Sequence, residues 1–180
     1  MRKTAGKDRK TSETEDKAVL KRVIILSDLT DDELGKIWGI SSRVEIPAGS
    51  VIMTEGEMGD TMFFFVQGEV DVTKNLTLKI GRKDFGSAEK SMVKLKAEHV
   101  SFFGDMALLQ KEPRSASITA STDCVLYEIN RDDFIRICDE NPTPGLKVLR
   151  RIATTLCDRV RKGNEDVLKL TTALSIALAR

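Results

Sequence analysis

The hydrophobic pattern of the first part of the chain is helical. Between residues 18 and 42, apolar residues recur at the spacing of helices that bury one face. The first such face consists of Val19, Leu20, Val23 and Ile24. A second segment begins at Thr30 and has Glu33 three residues later, which is the spacing of a capping box at a helix start. We expect Trp38, which follows at helical spacing, to anchor this second helix in the core.

Between residues 43 and 130 the pattern changes to short apolar runs separated by Gly, Asp and Asn. Such runs predict short strands in an antiparallel barrel or sandwich. Residues 81–91 are charged and contain Gly, so we predict a loop at a hairpin tip there. The strand candidates are Val51–Met53, Met62–Val66, Val70 with Val72, Leu76 with Leu78 and Ile80, Val93 with Leu95, 117–121 and 124–129.

After residue 130 a helical period returns. Asn130 is placed to cap a first helix, which the Pro- and Gly-containing segment 141–145 ends. Thr143 and Pro144 suit the N-cap and the first position of a second helix, and Gly163-Asn164 predicts an interruption or kink in it. The apolar face of this helix consists of Leu146, Leu149, Ile152, Ala153, Leu156, Val160, Val167, Leu170, Leu174 and Leu178. The order of helices, strands and helices indicates an α+β protein that is mainly β.

The composition predicts one folded domain with a polar lead-in. Residues 1–17 hold almost nothing that could be buried, so we expect a disordered tail, a domain over 18–142 and a C-terminal helix over 143–180. The chain has neither a run of about eighteen apolar residues nor an apolar stretch after its basic N-terminus, which argues against a membrane span and a secretory signal. Three cysteines without a CxxC pair predict reduced, mostly buried thiols in a cytoplasmic protein.

Neither charge nor motifs indicate nucleic-acid binding or catalysis. The 29 basic and 28 acidic residues leave a net charge of +1, which does not suggest a broad basic surface. The single histidine, His99, has no partner at a diagnostic spacing, and we interpret it as a surface-loop residue. No Walker loop, HExxH or GxSxG sequence occurs. We therefore expect a protein without catalytic activity and without a metal site.

One segment interrupts the strand pattern and indicates anion binding. Gly104 permits a tight backbone, after which residues 105–109 can form about one helical turn with unpaired N–H groups that favour an anion. Arg114 adds a positive charge, and Ser115 adds a hydroxyl donor. The full segment reads Phe103-Gly104-Asp105-Met106-Ala107-Leu108-Leu109, then Gln110-Lys111-Glu112-Pro113-Arg114-Ser115-Ala116-Ser117.

This segment resembles the phosphate-binding cassette of the cyclic nucleotide-binding domain family, which catabolite activator proteins, kinase regulatory subunits and cyclic-nucleotide-gated channels share. The cassette reads approximately F-G-E-x-A-L, a short loop, then P-R-x-A-x-[IV]-x-A, and residues 103–108 and 113–120 match it. The family's upstream glycine turns also match in order, as Pro47-Ala48-Gly49, Glu55-Gly56-Glu57-Met58-Gly59-Asp60 and Gly68-Glu69-Val70. The resemblance covers roughly residues 24–140. It implies an antiparallel jelly roll, or double-stranded β-helix, flanked by N-terminal helices and a C-terminal lid helix.

The resemblance also implies a role for each matching position. Arg114 would pair with the exocyclic phosphate oxygens of a cyclic nucleotide, and Asp105 would accept the ribose 2′-hydroxyl. Ser115 would lie beside the phosphate. Backbone N–H groups for the phosphate would come from Ala107, Leu108 and Ala116, within a cassette that also contains Phe103, Gly104 and Met106. The base would lie against Val93 and Leu95, and the lid helix would reach it through Leu146, Leu149, Ile152 and Arg150 or Arg151.

Two positions of the cassette modify this interpretation. The family usually has Glu where this chain has Asp105, whose shorter side chain lacks one methylene and predicts a weaker contact with the ribose. A Thr after the cassette arginine often accompanies cyclic GMP in the family, whereas this chain has Ser115, which favours cyclic AMP while leaving cyclic GMP open. The alternatives are a degenerate domain that serves as a protein-interaction scaffold and, more weakly, a domain retuned for haem.

The residues after the β region indicate how such a sensor could signal. The 35 residues from 146 to 180 predict one long or broken helix and leave no room for a helix-turn-helix module, so we expect no nucleic-acid partner. The first half of this helix is expected to pack on the β domain. Its second apolar half, Val167 to Leu178, is expected to pair with a second copy of the chain or to dock on an effector protein.

Overall fold

The computed structural model describes residues 17–76, 79–80, 83–84, 88–97 and 102–179. His99, Leu78 and nearly all of the polar lead-in predicted for residues 1–17 lie outside the described residues. The predictions for them are therefore not tested here.

The N-terminal helical region consists of three short pieces. Residues 17–20 are helical, Ile24–Leu26 form a 3₁₀ turn, and helix α1 spans Asp31–Gly39. The predicted capping box is present, because the backbone N–H of Glu33 donates to Thr30 Oγ1 at 3.3 Å and that of Thr30 donates to Glu33 Oε2 at 2.8 Å. The capping box fixes where α1 begins.

Two details of the helical prediction are wrong. The predicted helical region ran to residue 42, but a strand begins at Ser41 and pairs with a distant strand along its whole length. Ile24 is exposed, whereas Leu20 and Val23 are buried. The tighter winding of the 3₁₀ turn, about three residues per turn, moves Ile24 off the buried face. Trp38 packs half-buried against the core as expected.

The β region folds into two four-stranded antiparallel sheets. The strands are β1 Ser41–Ile46, β2 Val51–Met53, β3 Thr61–Gln67, β4 Glu69–Leu76, β5 Lys79–Ile80, β6 Lys83–Asp84, β7 Ala88–Lys96, β8 Phe102–Phe103, β9 Ser117–Ala120 and β10 Cys124–Asn130. The strand orders of the two sheets are β1-β10-β3-β8 and β2-β9-β4-β7, and β5 pairs with β6 separately. The jelly-roll prediction is confirmed as two packed sheets, which do not close into a barrel.

The hairpin between β4 and β7 is longer than the sequence predicts. Its pairing extends from Glu69 opposite Lys96 to Leu76 opposite Ala88. Part of the predicted loop 81–91 is consequently strand, in β6 and the start of β7. Pairing of β7 with β4 and of β6 with β5 outweighs the weak strand preference of this polar segment. Strand β1 is paired in the same way with β10, and the sequence pattern did not reveal it.

Strand β3 supplies two separate hydrophobic cores. Phe63 and Phe65 lie between the two sheets, whereas Met62 and Phe64 face the helices. Successive side chains of a strand point to opposite faces, and both faces of β3 are covered. This explains why residues 62–66 read as a nearly continuous apolar run.

The C-terminal region contains two helices. Helix α3 spans Arg131–Glu140, and the predicted cap is present, with the Asp132 N–H donating to Asn130 Oδ1 at 2.9 Å. Helix α4 spans Pro142–Leu178 without interruption, so the predicted interruption at Gly163 is wrong, while a kink there stays a prediction. A helix interior tolerates one glycine at a cost of about 1 kcal/mol. The helix also begins before the predicted Thr143 cap, with Pro142 at its first position.

The first half of α4 packs on the rest of the chain as predicted. Val148 and Ile152 are buried in the core that faces the helices, and Leu149 and Leu156 are half-buried there. Lys147 and Arg151 tie this half to the N-terminal region through Glu33 and Asp28.

Beyond Leu156 the helix leaves this core. Every described residue from 157 to 179 is exposed, and residues 157–178 are called the free half of α4 below. They include Cys157, so the expectation of mostly buried thiols holds for Cys124 but not for Cys157. Within the described part of the chain, no helix is both long and apolar enough to cross a membrane.

Candidate ligand-binding site

The predicted cassette forms a turn and a short helix between β8 and β9. Gly104 has a φ of +76°, a conformation that favours glycine, and helix α2 follows at Met106–Leu109. The backbone N–H groups of Ala107 and Leu108 donate to the carbonyl oxygens of Gly104 and Asp105, at 3.0 and 3.2 Å. A phosphate that used these two N–H groups would have to share or replace the bonds within the turn.

Hydrogen bonds of both the backbone and the side chain hold Arg114 in place. Its N–H donates to the Glu57 carbonyl at 2.8 Å, and its own carbonyl accepts from the Gly56 N–H at 2.9 Å. The guanidinium donates through Nη1 to the Thr61 carbonyl and through Nη2 to Thr61 Oγ1, both at 2.8 Å. Burial lowers the pKa of Arg114 and the Asp60 carboxylate opposes the shift, so the group remains charged at neutral pH.

Two glycines make room for the Arg114 side chain. A Cβ on Gly59 would lie 2.1 Å from Nε of Arg114, and a Cβ on Gly104 would lie 3.0 Å from its Nη1. Both glycines belong to the motifs that carry the family resemblance in the sequence. Their role here is to let a half-buried guanidinium lie flat against the backbone.

Asp105 is the buried carboxylate of the site, with 4% of its surface exposed. Its partner is Arg159, which lies in the free half of α4. Nη1 of Arg159 contacts both carboxylate oxygens, at 3.2 and 3.0 Å, and Cζ lies 5.4 Å from the centre of the Phe102 ring. The guanidinium is therefore placed by an ion pair and by a cation–π contact together.

Sequence reasoning missed Arg159 and chose other residues of the same helix. Arg151 instead binds Asp28 through two hydrogen bonds of 2.7 and 2.6 Å, and Arg150 is exposed. Leu149 and Ile152 pack in the core, and Leu146 is exposed. Arg159 lies seven positions after the buried Ile152 and therefore on the same helix face, a signal that could have identified it.

Arg114, Asp105 and Arg159 line one open cleft of about 440 Å³, a volume that includes the space at its mouth. Six of the predicted residues line it, namely Gly104, Asp105, Met106, Ala107, Arg114 and Ser115. The lining residues that were not predicted are Met53, Glu112, Pro113 and Arg159.

The remaining predicted residues are not among those that line the cleft. Phe103 contacts the rings of Phe63 and Phe65 between the sheets, with centroids 5.4 and 5.8 Å away. Leu108 is fully buried in the core that faces the helices, and Leu95 packs against the core between the sheets. Ala116 follows Ser115 and is half-buried, while Val93 pairs with Val72 through the backbone of β7.

The cleft can therefore hold a ligand that carries both an anion and a hydroxyl group. Arg114 offers a fixed positive charge, and Asp105 offers acceptor oxygens with little exposure to water. Among the described residues, no group of three His, Cys, Asp or Glu side chains is placed to bind a metal ion.

Comparison with known proteins agrees with this geometry. A family model described as "Cyclic nucleotide-binding domain" matches residues 43–141. The chain is 35% identical over 120 residues to a cAMP-dependent protein kinase regulatory subunit of Aspergillus niger, which covers 67% of this chain and 26% of that protein. It thus spans about a quarter of the length of this curated relative.

Two solved structures show the same fold. A cyclic nucleotide-binding domain of Methylobacillus flagellatus KT superposes with a TM-score of 0.69 at 26% identity, covering 85% of this chain and 84% of that one. The regulatory domain of Toxoplasma gondii PKA, crystallised with cAMP, has a TM-score of 0.59 at 26% identity and covers 77% of this chain and 48% of that one. The chain belongs to the cyclic nucleotide-binding domain family.

Proposed function

We propose that this chain is a non-catalytic sensor that binds a cyclic nucleotide, preferably cyclic AMP, and signals through its C-terminal helix. The observation that carries this proposal is that a charged Arg114 and a buried Asp105 line the same cleft. A cyclic nucleotide carries the two groups that match them, a phosphate anion and a ribose hydroxyl.

Arg114 would bind the phosphate without having to be ordered first. Thr61 already fixes its guanidinium, so little side-chain entropy is lost when the ligand arrives. An Arg–phosphate contact is charge-assisted and about twice as strong as a neutral hydrogen bond. Ser115 and the small Ala116 follow directly and would lie beside the phosphate.

The preference for cyclic AMP over cyclic GMP rests on Ser115 and on the relatives. Ser115 is exposed and lines the cleft. A Thr at this position often accompanies cyclic GMP in the family, and the Toxoplasma domain was crystallised with cAMP. The family resemblance implies that the base would lie against Val93 and Leu95 of β7.

The free half of α4 would carry the output to a second copy of the chain. Val160, Val167 and Leu174 are seven residues apart, and Leu170 and Ala177 take the second apolar position of the same heptads. All three seven-spaced residues are more than half exposed. This spacing is that of a coiled-coil seam. The alternative is that an effector protein, and not a second copy of the chain, binds the same helix face.

The free thiols support a cytoplasmic location.

Calorimetric titration with cyclic AMP and cyclic GMP tests the binding function. We expect saturable binding with a preference for cyclic AMP, and loss of binding by at least about a hundredfold in Arg114→Ala, since a charged contact and its preorganisation both disappear. Arg136→Ala is the matched control, because Arg136 is exposed and pairs locally with Asp133 on the surface of α3. Unchanged affinity in a folded Arg114→Ala variant would refute the site assignment.

A protein-interaction scaffold is the second candidate function. The observation that favours it is that Asp105 is short and already bound by Arg159. If the well-folded chain binds neither nucleotide while the free half of α4 still finds a partner, the scaffold explains the protein better.

A further inference from the structure

The ion pair between Asp105 and Arg159 joins the cassette to the free half of α4. Asp105 lies in the cassette, whereas Arg159 lies one helical turn beyond Leu156, where α4 has left the core. The described residues after 156 are all exposed, yet Arg159 reaches a carboxylate that is 4% exposed. The first turn of the free half of α4 is thus attached to the cleft by this ion pair.

The geometry of this pair leaves part of the carboxylate available. A carboxylate offers about four acceptor positions, and Arg159 approaches both oxygens with the same Nη1 atom. The side chain of Arg159 also lines the cleft, and its guanidinium is held over Phe102. Asp105 can therefore accept a ligand hydroxyl while Arg159 remains bound.

The pair also solves an electrostatic problem. A buried carboxylate without a partner is costly. Arg159 compensates the charge of Asp105 from the side of the helix and holds the carboxylate in a fixed place in the cleft.

We propose that Arg159 is a positioning residue, which orients the short Asp105 toward the ribose hydroxyl of the ligand and couples ligand binding to the free half of α4. This inference deepens the proposed function and rests on it. Removal of Arg159 leaves the Asp105 carboxylate free to rotate, so the contact with the hydroxyl is lost. Because coupling between two sites is reciprocal, a ligand that engages Asp105 also strengthens the attachment of the helix.

The test compares cyclic AMP with 2′-deoxy cyclic AMP, which lacks the hydroxyl in question. We expect Arg159→Gln to weaken binding of cyclic AMP about tenfold, the value of roughly one charge-assisted hydrogen bond, and to change binding of the 2′-deoxy analogue less than about twofold. Arg159→Lys should restore part of the difference. Arg161→Gln is the matched control, because Arg161 is exposed and pairs with Asp158 within the helix.

A double-mutant cycle isolates the pair. In an Asp105→Asn background, Arg159→Gln should have no further effect on the affinity for cyclic AMP. Hydrogen exchange should show that cyclic AMP protects amides of residues 157–163 in the wild-type chain and not in Arg159→Gln.

The outcomes distinguish this inference from the function on which it rests. If the wild-type chain binds neither nucleotide, the proposed function fails and this inference fails with it. If the wild-type chain binds and Arg159→Gln weakens both ligands equally, or neither, the positioning role of Arg159 is refuted while the binding function stands.

Discussion

The guanidinium of Arg114 lies where any side chain at position 59 would be, so Gly59 leaves free the space that Arg114 occupies. A Cβ there would be 2.1 Å from Nε and 2.3 Å from Cζ of Arg114. These are atoms of a long side chain, which can move aside without disturbing the backbone. The contact is therefore a constraint on the binding site more than on the fold.

Gly59→Ala is expected to weaken cyclic nucleotide binding strongly and to lower the free energy of unfolding by up to about 2 kcal/mol. The displaced guanidinium would lose its two hydrogen bonds to Thr61, each worth about 1 kcal/mol, and its place in the cleft. Titration calorimetry and thermal unfolding measure the two effects. Gly163→Ala is the control, since nothing lies within 4 Å of the Cβ it would add. Equal affinity in Gly59→Ala and the wild type would show that Arg114 does not need this position.

The hydroxyl of Thr61 provides a finer test of how Arg114 is oriented. Thr61→Val keeps the shape of the side chain but removes the acceptor for Nη2, whereas Thr61→Ser keeps the acceptor. We expect Thr61→Val to reduce affinity for cyclic AMP about three- to tenfold, the value of about one hydrogen bond, and Thr61→Ser to retain it. Both variants should be measured by the same titration. Similar losses in both would indicate a packing effect instead.

The length of the acidic side chain in the cassette can be tested directly. Asp105→Glu restores the side chain that is usual in the family, and we expect it to tighten binding of cyclic AMP by up to about tenfold. The 2′-deoxy analogue should not gain, because the added reach serves the hydroxyl. Weaker binding of cyclic AMP by Asp105→Glu would show that the backbone and Arg159 are already adapted to Asp.

The sequence predicted the parts of the site that are local and missed those that are distant. Arg114, Asp105 and their glycine turns lie in short motifs, and the Thr30 capping box spans four residues. Arg159 contacts a residue 54 positions away, so no local pattern indicates the pair. The same reason explains β1, whose partner strand β10 lies about eighty residues later.

Two other predictions differ from the structure because a local residue preference was given too much weight. Gly163 predicted a break in α4, but its weak helix preference does not outweigh the residues around it. Charged residues between 81 and 91 predicted a loop, and pairing with β4 extends the hairpin into that segment. In both cases an extended element overrides a local preference.

The attachment of α4 to the N-terminal helices should depend on pH. Lys147 and Arg151 donate to Glu33 and Asp28, and these hydrogen bonds hold the pKa values of both carboxyl groups below their usual values. A lowered pKa in the folded state means that stability is present above the unfolded pKa, about 4, and is lost as pH falls through the folded values. We expect the melting temperature to fall on acidification below about pH 4.

Two neutral variants separate this contribution from general acid effects. Glu33→Gln retains a side chain that can complete the capping box but loses the charge that binds Lys147, and Asp28→Asn does the same for Arg151. The double variant should melt lower than the wild type at pH 7 and lose less on acidification. Asp158→Asn, in an exposed pair within α4, is the control. A parallel decline in all three proteins would contradict the prediction.

The free half of α4 should assemble two copies of the chain. In the heptad defined by Val160, Val167 and Leu174, Leu168 lies one position away and on the outer side of a two-stranded coil. Both Leu168 and Leu174 are well exposed in the single chain, at 67% and 59%, so charged substitutions at either should leave the monomer fold unchanged. We expect Leu174→Glu to convert a dimer into a monomer in sedimentation equilibrium at micromolar concentration. Leu168→Glu should remain dimeric, because its side chain would not enter the seam. A wild-type chain that sediments as a monomer, with or without cyclic AMP, would rule out self-pairing and leave an effector protein as the occupant of this face.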